Sequence, residues 1–412
     1  MTNLCKNSIP LTTTILLFIL VGLISHEQQQ QQHHLRFTAE AGESVCIEYD
    51  QIENTILVNC NSSFSAVVQA INNPQIVENL GDGEYLLNAT LEVADGVSFE
   101  MNSSNAGGIG DLQYLKIVGE NGIIVYGKIL IDGVKITSWN ASSNDVIPQD
   151  MNGTIRRGYI QFAASEGSQI INSEFGYLGD VEPGRRGFDL LEDGDGEEPS
   201  HDIVVRGSKF HDMWFAFYSN GAYNIVIDGN EYYNNIKYTV DPHSATHDMN
   251  ITNNYIHHNR IGIICSLDCY NILIDGNLAE HNSNAGIFFS RNMTDSIARN
   301  NHIYNSSTGI TVSESPNNQI YNNTIEGATD EGILLFTPEI PDDGAVTENN
   351  LVYNNTIINS ENGIVATGSH DNIVENTTFF DIEESEYRLS GDSSIRIRGQ
   401  HLDNPLISQD GS

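Results

Sequence analysis

Short runs of alternating apolar and polar residues recur along the chain, several of them introduced by asparagine. Residues 224–228 (Asn-Ile-Val-Ile-Asp) and 271–275 (Asn-Ile-Leu-Ile-Asp) show the pattern. A period of two residues places alternate side chains on the two faces of a β-strand, and such short runs are typical of strands bounded by tight turns. The pattern therefore predicts an all-β protein built from many short strands.

Two anchors repeat with a shared period of about 23 residues, the length of one coil in a parallel β-helix with three strands per coil. One anchor is an asparagine at a turn, and the other is a Gly-Ile step eight or nine residues later. The two longest spacings share an insertion at 337–348, and a second insertion lies at 182–200. The asparagines are Asn230, Asn254, Asn277, Asn301, Asn323, Asn355 and Asn376, and the glycines are Gly262, Gly286, Gly309, Gly332 and Gly363.

The beginning and end of the repeat suggest the domain boundaries. Ser63–Asn72 has apolar residues at helical spacing after a serine, which predicts a helix that caps the first coil. After Phe380 the period is lost. The expected divisions are a leader with a Gln/His-rich linker at 1–34, a cap region at 35–80, the β-helix at 81–380 and a C-terminal cap or tail at 381–412.

The N-terminus has the pattern of an export signal. Lys6 precedes an apolar run at 9–24, which is short for a membrane span. A glutamine and histidine tract follows in place of a clear small-residue cleavage site, so a retained membrane anchor is the alternative. Both interpretations place the protein outside the cytoplasm, in an extracellular, cell-surface or periplasm-like space.

The charge balance excludes one class of partner. The chain has 18 lysines and arginines against 55 aspartates and glutamates, which gives a formal net charge of −37. A nucleic-acid-binding protein needs many cations to displace phosphate counterions, so this function is excluded. An acidic polysaccharide would require the few arginines to be concentrated at one site. A hydrophobic content of 39% is compatible with one large core in a monomer.

The cysteines form two close pairs, Cys46–Cys60 and Cys265–Cys269. In an exported chain such pairs predict disulfides. For the second pair, buried free thiols are an equal alternative. Eleven Asn-x-Ser/Thr sequences permit surface glycosylation.

Aligning the coils on their anchors predicts columns of side chains about 4.8 Å apart along the helix. Asp241 and His243 should share one face of a strand, since residues two apart point alike. Pro242 between them removes a ladder donor, which indicates an irregular backbone of the kind found at working sites. The predicted columns are Asn220, His243, Leu267, Arg291, Glu314 and Thr337, and two residues earlier Tyr218, Asp241, Cys265, Phe289, Val312 and Leu335.

His243, Asp241 and Arg291 form the predicted catalytic group. Removal of a proton next to a carboxylate needs a base such as histidine and a cation that stabilises the developing negative charge. Asp241 is expected to hold His243 in one tautomer. In the alternative interpretation His243 is a structural turn residue, the role expected of His211, His258 and His281.

Asp241-Pro-His243, followed by His247, resembles the Asp-Pro-His-Asp motif of the periplasmic mannuronan C-5 epimerases, which convert mannuronate to guluronate in alginate. The segments 262–266, 286–291 and 173–179 also resemble segments of this family, and the resemblance covers roughly residues 75–380. It implies a right-handed, single-stranded parallel β-helix. It also implies that the motif histidine removes the C5 proton and that water returns a proton on the opposite face.

The chain departs from the family pattern at two positions. Ser244 stands where the motif ends in aspartate, and Leu267 occupies the position of the arginine that neutralises the substrate carboxylate. Arg291 lies one coil further, about 10 Å from His243 by rung spacing. Arg260, Arg185 and Arg186 are candidate substitutes. The residues expected to bind substrate are Asn220, Tyr218, His247, Arg260, Arg185 and Arg186.

Two other functions remain open at this point. A polysaccharide lyase begins with the same proton removal, whereas a non-catalytic carbohydrate-binding β-helix would accord with Leu267 and the acidic surface. No cofactor is expected to be required. The acidic stretch 189–198 suits loose Ca²⁺ binding, but a solvated acidic loop is the favoured interpretation.

Overall fold

The computed structural model describes residues 45–103, 112–148, 150–191, 198–341 and 344–398, together with the backbone of a strand at 407–409. One helix, α1, spans Phe64–Ile71, with Ser63 at its N-cap and Asn72 in the left-handed conformation at its C-cap. The regular structure of the remaining described residues is β-strand, arranged in three sheets.

Sheet 1 carries the strands that begin each coil. In the described residues it has fifteen strands: β1 (Ile47–Asp50), β2 (Thr55–Val58), β6 (Thr90–Val93), β9 (Gly122–Val125), β13 (Tyr159–Ala163), β16 (Gly187–Leu191), β19 (Phe215–Asn220), β22 (Tyr238–His243), β25 (Ile261–Ser266), β28 (Ala285–Ser290), β31 (Thr308–Ser313), β34 (Glu331–Phe336), β37 (Asn362–Thr367), β40 (Ser385–Ser390) and β42 (Ile407–Gln409).

Sheet 2 follows sheet 1 within each coil. Its thirteen strands in the described part of the chain are β3 (Ser62–Ser63), β7 (Ser98–Asn102), β10 (Lys128–Asp132), β14 (Gln169–Ile171), β17 (Val204–Arg206), β20 (Tyr223–Asp228), β23 (His247–Thr252), β26 (Tyr270–Asp275), β29 (Ile297–Arg299), β32 (Gln319–Tyr321), β35 (Leu351–Tyr353), β38 (Asn372–Glu375) and β41 (Ile395–Arg398).

Sheet 3 closes the coil. Its fourteen strands within the described ranges are β4 (Val77–Gly81), β5 (Glu84–Leu87), β8 (Tyr114–Val118), β11 (Lys135–Asn140), β12 (Asp145–Val146), β15 (Glu174–Gly176), β18 (Lys209–His211), β21 (Glu231–Tyr233), β24 (Tyr255–His257), β27 (Leu278–Glu280), β30 (His302–Tyr304), β33 (Thr324–Glu326), β36 (Thr356–Ile358) and β39 (Thr378–Phe380).

Successive coils stack strand on strand, and this confirms the predicted parallel β-helix. Each strand pairs in parallel with its equivalent in the next coil, as β19 does with β22 and β22 with β25. The antiparallel pairs are β1 with β2, β4 with β5 and β11 with β12. One face of every sheet points inward, where isoleucine, valine and phenylalanine form a continuous core.

Buried asparagines join the coils at the turn between sheets 2 and 3. The side-chain oxygen of Asn254 accepts hydrogen bonds from the backbone nitrogen and the side-chain amide of Asn230, at 3.0 and 3.1 Å. Asn277 does the same for Asn254. Buried amides need partners, so this ladder explains the predicted asparagine anchors. Asn376 is an exception, because it is exposed and the next residue, Thr377, takes the buried position.

The β-helix is longer than the boundaries drawn from the sequence. Its parallel pairing begins with β2, where Thr55 pairs with Thr90, and continues through β40 and β41. The last coil was missed because Glu386-Tyr387 replaces the Gly-Ile step. The predicted helix is present as α1, with Phe64 and Val67 buried, and its role as a cap stays a prediction.

The two cysteine pairs differ. Cys46 and Cys60 form a disulfide, as predicted. The predicted disulfide between Cys265 and Cys269 is wrong, because both are buried free thiols. Cys265 points into the core, and the thiol of Cys269 contacts the carbonyl oxygen of Ser266 at 3.2 Å. Among the described residues there is no helix long and apolar enough to cross a membrane, and the predicted leader lies outside them.

Candidate active site

The strand register corrects the predicted columns by one residue. Asn220 pairs with His243 as expected, but His243 pairs with Ser266 rather than Leu267. The column continues through Ser290 and Ser313 to Phe336. Tyr218 pairs with Asp241 as predicted, whereas the pairings of Val240 with Ile263 and His243 with Ser266 place Asp241 beside Ile264, not Cys265. His243 therefore ends its strand next to a small hydroxyl residue.

Both ring nitrogens of His243 have a neighbour, and together these define its tautomer. Nε2 lies 3.2 Å from Nη2 of Arg291, and Nδ1 lies 2.7 Å from Oγ of Ser244. A guanidinium can only donate, so Nε2 of a neutral ring accepts this bond and Nδ1 carries the proton. The hydrogen bond from Arg291 therefore fixes the tautomer, and Ser244, in the position of the family's final aspartate, accepts the hydrogen bond from Nδ1.

The proposed role of Asp241 as the partner of His243 is wrong in this structure. Asp241 is 1% exposed, and its Oδ1 has no hydrogen-bond partner among the described residues. Burial raises the pKa of Asp241 well above its usual range, although Arg186 and Arg291 oppose the shift. Asp241 is thus a buried carboxyl group that interacts electrostatically with Arg186 and Arg291.

Arg291 reaches His243 directly, closer than the 10 Å expected from rung spacing. Its backbone lies in the left-handed region with φ of 50°, immediately after β28. From there the guanidinium crosses the intervening coil, where Nε and Nη2 donate to Oγ of Ser266 at 3.2 and 2.7 Å. A hydroxyl of small size at Ser266 leaves room for this path. Arg291 thus supplies the cation at His243 that Leu267, as an apolar residue, cannot supply.

The imidazole is held in its basic form. Burial, followed by the positive charges of Arg291 and Arg186, lowers the pKa of His243 to about 4. The ring is half-buried, and the ring of Tyr218 lies 5.5 Å away between centroids. An unprotonated, partly accessible imidazole beside a guanidinium is the arrangement that general-base removal of a proton next to a carboxylate requires.

Arg186 and Tyr218 extend the site upstream. The Arg186 guanidinium lies 4.1 Å from the centre of the Tyr218 ring, and Nη1 is 3.8 Å from Oδ2 of Asp189. Burial raises the pKa of Tyr218 to about 12, so its phenol keeps its proton. Asp189 pairs with Tyr218 in the ladder, and the register shifts, as at a bulge, between Gly187 and Asp189. Bulges often lie near functional sites, and this one comes just before Tyr218, whose ring is beside that of His243.

Three of the predicted substrate-binding residues join His243, and three do not. Asn220 pairs with His243, and its side-chain oxygen is buried without a hydrogen bond to another described residue. His247 packs instead between the rings of Tyr223 and Tyr270 on sheet 2, at 5.3 and 4.6 Å. Tyr218 and Arg186 join Asn220 beside His243, and the surface formed by these four residues and Arg291 is called the groove.

The other two arginines are located elsewhere. Arg260 precedes β25 at the end opposite Ser266, which places it about 20 Å from His243 at the usual rise of a strand. Arg185 lies 3.3 Å from Glu120 and 3.5 Å from Asp180, and it stacks on Tyr159. The sequence could not distinguish Arg185 from Arg186, because both lie on one predicted loop.

The acidic stretch 189–198 is not one loop. Asp189, Leu190 and Leu191 belong to β16, and Asp189 is fully buried. Residues 192–197 lie outside the described part, so Ca²⁺ binding there stays a prediction. Among the described residues, one group could hold a metal ion, and it consists of Glu166, His201 and Asp202. Their possible ligand atoms lie within 4.8 Å of one another.

His211, His258 and His281 lie on the turns and strands of sheet 3. His258 stacks on His281 with ring centroids 5.2 Å apart, and His211 stacks on Tyr233 at 4.9 Å. His211 also contacts carboxylates of Glu174 and Asp212. These contacts support the structural role expected for the three histidines.

Comparisons with known proteins identify the architecture. Residues 195–338 match the family model of the right handed β-helix region. The crystal structure of the periplasmic alginate epimerase AlgG superposes with a TM-score of 0.67 over 83% of this chain and 85% of that chain, at 18% identity. The A-module of the Azotobacter vinelandii mannuronan C-5 epimerase AlgE4 gives a TM-score of 0.50 over 79% and 89%, at 19% identity. The right-handed parallel β-helix is confirmed.

Curated relatives match in sequence. The mannuronan C5-epimerase of Pseudomonas syringae pv. tomato is 26% identical over 266 residues, which cover 61% of this chain and 47% of the relative. That of Pseudomonas putida is 25% identical over 238 residues, or 55% and 45%. The chain spans about half the length of these relatives. The resemblance to the mannuronan C5-epimerases is confirmed.

Proposed function

We propose that this protein inverts C5 of uronate residues, mannuronate to guluronate, in a polymeric acidic polysaccharide by removing the C5 proton. The observation that carries the proposal is the contact between Nε2 of His243 and the guanidinium of Arg291 at 3.2 Å. The names of the matched relatives support the same reaction and substrate class. No cofactor is needed for this chemistry, because base and cation are both side chains.

The same contact suggests how substrate exposes the base. In the free protein the Arg291 guanidinium occupies the lone pair of Nε2 that would take the proton. A uronate carboxylate forms charge-assisted, two-pronged bonds with arginine and is a better acceptor than a neutral imidazole. Substrate binding therefore draws Arg291 onto the carboxylate and frees Nε2. The C5–H bond then breaks towards His243, and its electron pair moves into the carboxylate, where Arg291 stabilises the added charge.

The second proton comes from the solvent side. His243 and Tyr218 lie on the same face of sheet 1, with their ring centroids 5.5 Å apart. A sugar that lies over these residues presents its opposite face to water. Protonation of C5 from that face inverts the carbon, and the imidazolium of His243 then loses its proton to solvent.

A lyase is the second candidate, favoured by the protonated phenol of Tyr218 on the same side as His243. A phenol placed there has the chemistry to protonate the C4 oxygen as it leaves. Elimination would create an unsaturated sugar end, whereas epimerisation leaves the chain intact. The two reactions therefore differ in a product that is directly observable.

We further propose that the protein is exported and meets its polysaccharide outside the cytoplasm. The Cys46–Cys60 disulfide supports this location, because such bonds persist in oxidising compartments. The same proposal includes an export signal within residues 1–34, with a retained anchor at residues 9–24 as the alternative, sequences that permit surface glycosylation, and a monomeric state.

Incubation of the purified protein with several uronans in heavy water tests the function. We expect deuterium at C5 and new guluronate signals in the NMR spectrum of polymannuronate, without ultraviolet absorbance from unsaturated ends. Absorbance would assign a lyase instead. A lack of both signals on every uronan would leave a non-catalytic carbohydrate-binding protein.

A further inference from the structure

Arg186 is the second cation of the groove and has no part in the proton transfer described above. We infer that Arg186 is a separate carboxylate-binding site, which holds the uronate next to the reacting one and makes the protein select polymers. The inference rests on the proposed function, since it places the reacting sugar at His243.

The two adjacent arginines of the upstream insertion have different surroundings. Arg185 is engaged by Glu120 and Asp180 and covers the ring of Tyr159. The Arg186 guanidinium makes no hydrogen bond to another described residue, and its side chain is 22% exposed. Its nearest carboxylate oxygen, on Asp189, is 3.8 Å away, which is beyond hydrogen-bond distance. The donors of Arg186 are therefore available to a ligand.

The backbone that carries Arg186 is fixed. The carbonyl of Arg186 accepts a hydrogen bond from the backbone nitrogen of Phe215 at 2.9 Å, and its own nitrogen donates to Oδ2 of Asp189 at 3.3 Å. Gly187 has φ of 142°, and a Cβ there would lie 2.2 Å from the carbonyl oxygen of Phe215. A Cβ on Gly179 would lie 2.0 Å from the carbonyl oxygen of Arg186. Only glycines allow this close packing, so the site is preorganised.

Arg186 and Arg291 approach His243 from opposite ends of the groove. Asp189, three residues after Arg186, pairs with Tyr218, which pairs in turn with Asp241 on the strand of His243. Arg291 follows β28, which lies two coils beyond His243. A uronan laid along the coil axis repeats its carboxylate at every sugar. Arg291 contacts His243 and takes the carboxylate of the reacting sugar, so Arg186, beyond the Tyr218 ring, takes that of its neighbour.

Charge strengthens this assignment. With 55 acidic against 18 basic residues, the protein as a whole repels a polyanion. Binding then depends on a few local cations, and two arginines converge on one groove. After burial, the positive charges of Arg291 and Arg186 both contribute to the lowered pKa of His243.

The test compares Arg186→Ala and Arg186→Lys with Arg206→Ala, which removes the same charge from an exposed position on sheet 2. C5 exchange on polymannuronate gives KM and kcat for each variant. For Arg186→Ala we expect KM to rise about ten- to hundredfold, the value of a lost charge-assisted pair, with kcat changed less than about threefold. Lysine should restore part of the loss, and Arg206→Ala should match the wild type.

A binding measurement separates this inference from the proposed function. Calorimetric titration of polymannuronate into His243→Asn gives a Kd without turnover. Adding Arg186→Ala to this protein should raise the Kd by the same factor as the rise in KM, about ten- to hundredfold. An unchanged Kd and KM, or a loss confined to kcat, would overturn the role of Arg186. Absence of C5 exchange in the wild type would overturn the proposed function, while a difference in Kd would still support the second carboxylate site.

Discussion

The two turns on either side of sheet 2 show how one coil combines a regular scaffold with a reactive site. Between sheets 2 and 3, the left-handed backbone positions carry residues suited to them: Gly229, Asn253, Gly276 and Asn300. Between sheets 1 and 2, the same conformation also occurs at residues that resist it, namely Ala245, Leu267, Arg291 and Glu314, beside tolerant residues such as Asp268 and Asn292. A left-handed residue with a β-carbon costs about 1–2 kcal/mol unless it is of a tolerant type.

This difference shows that the stacking of coils and the candidate catalytic contacts depend on different turns of the coil. The asparagine turn repeats one solution, in which buried amides join neighbouring coils. The turn after sheet 1 changes its residues from coil to coil and places Ser244 and Arg291 in contact with His243. Local strain of this kind is concentrated at functional sites, where the rest of the fold compensates for it.

In the comparison of the two turns, the largest expected effect comes from the turn after sheet 1. Arg291→Ala should lower kcat for C5 exchange by about 10²- to 10³-fold, because it removes the charge that stabilises the carbanion-like state. Arg299→Ala is the control, since that arginine pairs with Asp275 on sheet 2. Steady-state exchange rates check both variants. An active Arg291→Ala protein would mean that another cation serves the reacting carboxylate.

The scaffold turn should respond in stability. Asn277→Ala removes the acceptor of two buried donors of Asn254, at 3.0 and 2.9 Å, and should lower the free energy of unfolding by about 2–3 kcal/mol. Asn376→Ala, at an exposed turn, should change it by less than about 0.5 kcal/mol. Chemical denaturation measures both. Equal effects would show that the buried ladder does not stabilise the coils.

The titration of His243 provides the next test. Its ring faces Arg291, Ser244 and the Tyr218 ring, with Asp241 on its own strand and Arg186 beyond Tyr218. Because its pKa is about 4, the base form persists at neutral pH, and exchange activity should fall only as the pH drops through this value. NMR titration of the imidazole should show the pKa rising towards the ordinary value in Arg291→Gln. An unchanged pKa would contradict the contact.

The smallest expected effect concerns strain at Leu267, whose φ is 67°. Leu267→Asn should raise the free energy of unfolding by about 0.5–1 kcal/mol, because asparagine tolerates the left-handed conformation. Leu278→Asn is the matched control, a half-buried leucine in a strand, and should lower stability. Thermal unfolding of both variants measures these changes in stability. Destabilisation by Leu267→Asn would mean that packing of the leucine outweighs the strain.

The sequence was sufficient to predict the coil but not its fine register. Asparagine and Gly-Ile anchors recur because each coil meets the same stacking requirement, so their period predicts the fold. The coil of His243 lacks the glycine, since Tyr238-Thr-Val occupies that position, and counting from Gly262 misplaced the next coil by one residue. The role of Ser266 was missed for this reason.

Side-chain reach explains the remaining differences at the site. Rung spacing measures backbone separation, whereas the Arg291 side chain bridges two coils to reach His243. The contacts of Arg186 and Asp189 depend on the close approach of Gly187 to Phe215, which no pattern in the sequence indicates. The motif did lead to His243, which the structure places in contact with Arg291, while its catalytic role stays a prediction.

The most direct test of the account is deuterium incorporation at C5 of polymannuronate by the wild type and by His243→Asn. General-base catalysis by His243 predicts that exchange falls by about 10²- to 10⁴-fold in the variant, while the melting temperature and polymer affinity stay close to those of the wild type. A His243→Asn protein that exchanged C5 protons at the wild-type rate would contradict the assignment of this imidazole as the base.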